Sequence, residues 1–247
     1  MSFTRKLSFA AILVTMLTVS SPLFAASREG EGAEKETKTF FTDRSLGLIR
    51  TSMTPFEFGI LSPFQLFSGE TKVYGIRMSA LYTFNKAVYG LDAGVIGDSD
   101  DSYGIQVNLC NLMNDTQGGI GISMANISQR NMYGVQFGAY NQAGIQDIAK
   151  IFSGVGDARG CQFGVVNLTN CNFKGGQLGL VNISNTVYNG IQIGFVNGCW
   201  GPDEILNDFF SQATRDAADN MQCIQIGFLN FNPNGYLPLT LVFNFCP

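Results

Sequence analysis

Apolar and polar positions recur every five residues through the second half of this chain. Residues 161–200 divide without a slip into CQFGV VNLTN CNFKG GQLGL VNISN TVYNG IQIGF VNGCW. In six of these eight words a small or apolar residue precedes Gln or Asn, and a bulky apolar residue follows. Three words make a unit of 15 residues, and a short unit at fixed period predicts a repeat architecture. The first word of successive units begins at Ile76, Leu91, Ile105, Ile120, Val135, Cys161, Gly176, Ile191 and Ile224. Two of the steps are long, 26 and 33 residues, and so carry insertions; the others are 14 or 15.

The second position of the unit holds Gln106, Gln136, Gln162, Gln177, Gln192 and Gln225, with Arg77, Asp92 and Gly121 in the more degenerate early units. Five residues further on stand Asn111, Asn126, Asn141, Asn167, Asn182, Asn197 and Asn230. A strand alternates its side chains with period two. In Gly190-Ile-Gln-Ile-Gly-Phe-Val-Asn, residues Ile191, Ile193 and Phe195 share a parity that Val196 breaks, and the break recurs at Val166, Val181 and Leu229. Antiparallel strands would need a bulge at the same place each time, whereas a coil turning a corner between two five-residue faces gives the break directly. Both insertions follow the same word, after Asn141 and after Asn197. This translational symmetry also favours coils of one orientation over up-and-down strands, whose alternate turns differ.

The expected fold is therefore all-β: a β-solenoid of about nine 15-residue coils with two insertions. Stacked coils put Gln over Gln and Asn over Asn at about 4.8 Å, close enough for side-chain amide ladders. In this reading the apolar first positions face the interior, and Asn, Gln, Ser and Thr dominate the outside. An antiparallel outer-membrane-type barrel is the alternative. Its best support is the alternating stretch from Leu237 to Phe245 near the end of the chain.

Composition adds an address. Charged residues are 14% of the chain and hydrophobic ones 45%, too apolar for disorder. Arg5 and Lys6 precede an apolar stretch at residues 7–18, with small residues near Ala25 and Ala26, the pattern of a secretory signal. Residues 1–26 are read as that signal, 27–55 as a flexible lead-in, and 56–247 as the repeat domain with insertions at 142–158 and 199–221. Loss of the signal takes the formal charge from −4 to about −6. A mildly acidic exported protein is a poor candidate for nucleic-acid binding.

Candidate chemistry is sparse. The chain has no His, which removes His-based triads and His metal sites. Asp98, Asp100 and Asp101 form an acidic segment that lacks the spacing of an EF-hand loop and reads as a solvated turn. The Asn-x-Ser/Thr matches at Asn126, Asn167 and Asn182 read as by-products of the repeat. Cys110, Cys161 and Cys171 stand at first positions of their words, expected inward, where a thiol behaves as a small apolar residue. Cys199 and Cys223 flank the second insertion, which makes a disulfide between them a candidate. Apolar residues every fourth position, Ile205, Phe209, Ala213 and Ala217, predict a helix over 203–219. No catalytic constellation, cofactor motif or metal site emerges.

The units VYGLDAGVIG, SYGIQVNLCN and MYGVQFGAYN, with the lead-in FEFGILSPFQLFSGETKVYGIRMSALY, resemble a family of bacterial surface-repeat proteins first named from leptospires. The resemblance spans roughly residues 56–245 and rests on a repeated Tyr-Gly-x-Gln-x-Gly-x-x-Asn core. It implies an exported protein at the cell surface or in the outer membrane or periplasm, without an established activity. The five-residue words also resemble pentapeptide-repeat proteins, but the period here is 15, and the first position prefers Ile or Val over small residues. The functional expectation is a non-enzymatic surface or envelope protein, a binding or structural scaffold whose partners are carbohydrate or protein, with membrane association open. The alternative is a barrel pore or anchor.

Overall fold

The computed structural model describes residues 47–62, 64–144, 156–187, 189–199, 223–232 and 237–246. These are all-β: β1 (Met53–Leu61), β2 (Phe64–Gln65), β3 (Lys72–Ile122), β4 (Ala125–Ser128), β5 (Asn131–Ala143), β6 (Asp157–Val187), β7 (Gly190–Cys199), β8 (Cys223–Phe231) and β9 (Leu239–Cys246). They form one open sheet in the order β2-β1-β3-β4-β5-β6-β7-β8-β9, with a further β3–β5 pairing. From β1 to β8 every pairing is parallel; only the end strands β2 and β9 run antiparallel to their neighbours. Parallel pairing of consecutive repeats in an unclosed sheet is the arrangement of a β-solenoid, and it excludes the antiparallel barrel for these residues.

The register follows the repeat. Gln177 pairs with Gln192 and Asn182 with Asn197, one period apart. Across the first insertion Gln136 still pairs with Gln162 and Asn141 with Asn167; across the second, Gln192 pairs with Gln225 and Asn197 with Asn230. The register therefore keeps its phase across both insertions. Gln142, Ala143, Asp157, Ala158 and Cys199, assigned to the insertions from sequence, already lie in strands. Likewise Met53 and Thr54, read as lead-in, pair with Lys72 and Val73. The helix expected over 203–219 falls outside the described residues.

Glycine turns one corner of the first seven coils. Gly75, Gly90, Gly104, Gly119, Gly134, Gly160 and Gly175 all have positive φ, and a Cβ on any of them would lie about 2 Å from the carbonyl oxygen of the rung below. Both conditions exclude other residues. The long strands β3 and β6 thus pass around several corners rather than running straight.

The sidedness is the reverse of the sequence expectation. The ladder residues Gln106, Gln136, Gln162, Gln177, Gln192 and Gln225, with Asn111, Asn126, Asn141, Asn167, Asn182, Asn197 and Asn230, are all buried. Large apolar residues of the first word face out: Ile105, Leu178, Ile193 and Phe228 are 47%, 48%, 38% and 62% exposed. The interior has two zones. One is the amide zone; the other, beside the third word, is an apolar cluster that includes Met132, Ala158, Cys171, Phe173 and Val187. Amides tolerate this burial because they are hydrogen-bonded, the Gln106 nitrogen alone among the ladder atoms lacking a partner, and a polar group is costly inside only when it is not bonded.

Candidate functional site: an apolar outer face over an amide core

Two ladders fill the amide zone. Each Asn donates to the side-chain oxygen of the Asn one rung on: Asn111 to Asn126 at 2.8 Å, then to Asn141, Asn167, Asn182, Asn197 and Asn230 at 2.8–2.9 Å. In Asn126, Asn141, Asn167, Asn182 and Asn197 the second N–H goes to a backbone carbonyl of the next rung, as from Asn167 to Leu178 at 3.0 Å and from Asn182 to Ile193 at 2.9 Å. The Gln ladder donates the other way, from Gln225 down to Gln192, Gln177, Gln162 and Gln136 at 2.8 Å each, and on through Gln117 to Gln106. Asn fits beneath the strand because the fourth position of the unit is commonly glycine. A Cβ on Gly164 would lie 2.3 Å from the Gly138 oxygen and 2.6 Å from the Asn141 amide nitrogen.

Sequence reasoning missed Gln117. Where the unit has Gly121 in place of Gln, the Gln117 side chain comes from the previous rung's third word and fills the gap. It bonds Gln106 at 3.1 Å and Gln136 at 2.5 Å, and a Cβ on Gly121 would fall 2.3 Å from its nitrogen. The signal was available: a Gln stands two residues before the corner glycine, where Val88, Met132 and Phe173 stand in other units.

At the N-terminal end the Gln column becomes a stack of alternating charge, Glu57 paired in register with Arg77, and Arg77 bonded to Asp92. Arg77 is fully buried and donates to both carboxylate oxygens of Asp92, at 2.8 and 2.6 Å, and to the Asp98 carbonyl at 2.6 Å. Burial opposes the Arg77 charge, but Asp92, Asp98 and Glu57 outweigh it and hold its pKa above the ordinary value. Burial pushes Glu57 up to about 7 against the N–H groups of Phe67 and Leu66, which bond its carboxylate.

The acidic segment read as a solvated turn is part of this interior. Asp98 is 3% exposed and accepts from the Tyr82 hydroxyl at 2.9 Å and the Asn114 amide at 3.0 Å. Its burial is matched by these bonds and by the Arg77 guanidinium on its carbonyl. Asp100 and Asp101 are half-buried. Among the described residues no group of three or more His, Cys, Asp or Glu side chains gathers to hold a metal ion.

Cys110 and Cys161, expected inward, are half-exposed, Cys161 because it opens an outward-facing first word. Cys171 is buried, and burial, aided by Asp157, pushes its thiol up to about 12, far from nucleophilic use at neutral pH. Cys199 and Cys223 both lie in the apolar cluster, with no disulfide between them. Their backbones stand at different places on the coil, Cys199 paired with Ser184 and Cys223 with Gly190. The acceptor asparagines Asn126, Asn167 and Asn182 are fully buried ladder members.

The feature that faces solvent is the first-word face. Its first, third and fifth positions amount to 27 residues over nine units, from Ile76, Met78 and Ala80 to Ile224, Ile226 and Phe228, and none is polar. None of the 27 is buried. β1 and β9 extend the face at its two ends, with Phe56 and Phe58 beside Ile76 and Met78, and Phe245 and Phe243 beside Ile224 and Ile226. Aromatic rings stack along it, Phe137 on Phe163 at 4.9 Å and Phe195 on Phe228 at 5.0 Å. In the first two words of every unit the described charged residues are Arg77, Asp92 and Asp98, all buried, and Asp100 at the corner. The other exposed charges of the repeat, such as Lys86, Arg130, Arg159 and Lys174, belong to the third word or the corner before it. Bordering the apolar face, one residue before the corner glycine, runs a row of Tyr74, Tyr89, Tyr103 and Tyr133, the first three stacked at 4.7 and 5.5 Å.

Comparison with protein-family models, with curated proteins and with solved structures found no match.

Proposed function

We propose that this protein is an exported, non-enzymatic envelope repeat protein, a binding or structural scaffold that works through its apolar outer face. The observation that carries the reading is the run of 27 apolar, unburied positions on one face. Patches on soluble monomers rarely exceed a few hundred Å², and larger ones mark interaction surfaces. Nine rungs at about 4.8 Å, five residues wide at about 3.3 Å each, make roughly 700 Å². The signal-like residues 1–26 and the resemblance to bacterial surface-repeat proteins support the address.

The structure changes which partner chemistry suits the scaffold. Carbohydrate was expected on an outward Asn/Gln face, and that face is internal, its amides already bonded to one another. The barrel pore loses its basis too, since the sheet is parallel and open. The reading is tested by fractionating cells that express the full chain and a chain lacking residues 1–26. Envelope location that depends on those residues is expected; a full chain recovered in the cytosol refutes it.

A further inference from the structure

The occupant of the apolar face has a chemistry that the face itself specifies. Along the third position of the unit the residues are Met78, Ala93, Val107, Ile122, Phe137 and Phe163 through the first six units, changing volume from rung to rung. Apolarity is held at all 27 positions while shape is not. A folded partner demands fixed complementary relief, with packing as dense as a protein interior. Fluid hydrocarbon demands only that nothing polar meet it.

The border adds a second argument. The row one residue before the corner reads Tyr74, Tyr89, Tyr103, Gly118, Tyr133, Arg159, Lys174 and Asn189, with Asp101 close enough to Tyr89 and Tyr103 to act on both hydroxyls. Tyr74, Tyr103 and Tyr133 are 49%, 41% and 38% exposed. Tyrosine and cationic side chains are the residues that sit at a membrane–water interface, with an apolar body and a polar tip. Their charge complements phosphate headgroups. Arg159 also pairs with Asp157 at 3.4 Å, both of them solvent-accessible, so the guanidinium keeps donors for a headgroup.

The backbone also meets the requirement of a lipid setting. Between the two ends of the stack the strand N–H and C=O groups are paired rung to rung, so the middle of the face offers no unpaired backbone to hydrocarbon; β2 and β9 remain the outer edges of the open sheet.

From these observations we propose that the first-word face binds a lipid surface, lying flat in one leaflet with the tyrosine and cationic row at headgroup level and the third-word charges in water. The inference rests on the scaffold reading above and names its partner. At roughly 700 Å² the face approaches the ~800 Å² per partner of a stable dimer, so a second copy of the chain is the competing occupant.

The test uses purified full-length chain with vesicles of phosphatidylcholine, alone or mixed with phosphatidylglycerol. In a Trp200→Phe background, Leu109→Trp places an indole on the face and Arg130→Trp places one on the third-word side. With lipids brominated on the acyl chains, quenching of the Leu109→Trp indole and not of the other is expected. Equal quenching of both, or of neither, overturns the proposal. Flotation gives a second reading, in which the double variant Leu109→Asp/Leu178→Asp binds at least about tenfold less than the parent. The apolar residues 7–18 are present in both chains, so their own lipid affinity cannot produce that difference. Stronger binding with phosphatidylglycerol supports the cationic row. A defined dimer by light scattering, with no flotation, overturns the lipid in favour of a second copy. An envelope-located protein that ignores vesicles overturns this inference alone, whereas a cytosolic protein that floats overturns the export reading alone.

Discussion

Replacing Asn167 by Ala and Leu180 by Ser separates an amide-filled interior from a conventional one. Asn167 donates to Asn182 at 2.8 Å and to the Leu178 carbonyl at 3.0 Å, and accepts from Asn141 at 2.9 Å. Its removal leaves three fully or partly buried groups short of a partner. Each stranded group costs about 1–3 kcal/mol, and partial relaxation brings the sum to about 4 kcal/mol. Leu180 is 60% exposed. Its change to Ser removes only a fraction of the ~1.5–3 kcal/mol of full burial, below about 1 kcal/mol. Equilibrium urea unfolding by circular dichroism reads both, with hydrogen exchange of the β6 amides to check that the transition is cooperative. The expected order is a large loss for Asn167→Ala and a small one for Leu180→Ser. The reverse order would mean that apolar residues face inward and that the burial described above is wrong.

Three further outcomes follow from the same geometry. Gly164→Ala puts a methyl 2.3 Å from the Gly138 oxygen and should cost ~2–4 kcal/mol, while Gly176→Ala, whose methyl meets nothing closer than 3.6 Å, should be neutral or stabilising by ~0.5 kcal/mol in the same unfolding assay. Gln117→Ala should break the Gln ladder between Gln106 and Gln136 and lower the melting temperature. Glu57 has its folded pKa raised to about 7 from 4.5. Between these values the folded state binds more protons than the unfolded one, so stability should fall as pH rises from about 4.5 to 7, by ~1–2 kcal/mol after solvent screening. A Glu57→Gln chain should lose that part of the slope in unfolding midpoints measured at pH 4.5 and 7.5.

The period, the parallel register and the place of both insertions were legible in the sequence. They depend on Gln177 lying over Gln192 and Asn182 over Asn197, which spacing alone dictates. Sidedness was not. Parity says that Ile191, Ile193 and Phe195 share a side, but not which side it is, and the ordinary rule that apolar residues face inward chose the wrong one. The overlooked sign is the fourth position. Gly164, Gly179 and Gly194 are small because an amide on the inner side needs their space, and glycine there has no purpose on a strand with its isoleucines inside. The acidic segment was misplaced for a related reason: Asp98 answers to Tyr82 and Asn114 sixteen residues away on either side, partners that only the coil geometry brings near.

The opposed directions of the two amide ladders have an electrical consequence. A single file of aligned amides sums its dipoles as a helix does, leaving fractional charge at its two ends. Here the Asn file points toward the C-terminus and the Gln file toward the N-terminus. Their moments oppose, so much of the polarisation cancels as the stack lengthens. A chain of this design can add or lose units with less charge gathering at its tips, and it carries less axial field into a medium as weakly screening as hydrocarbon.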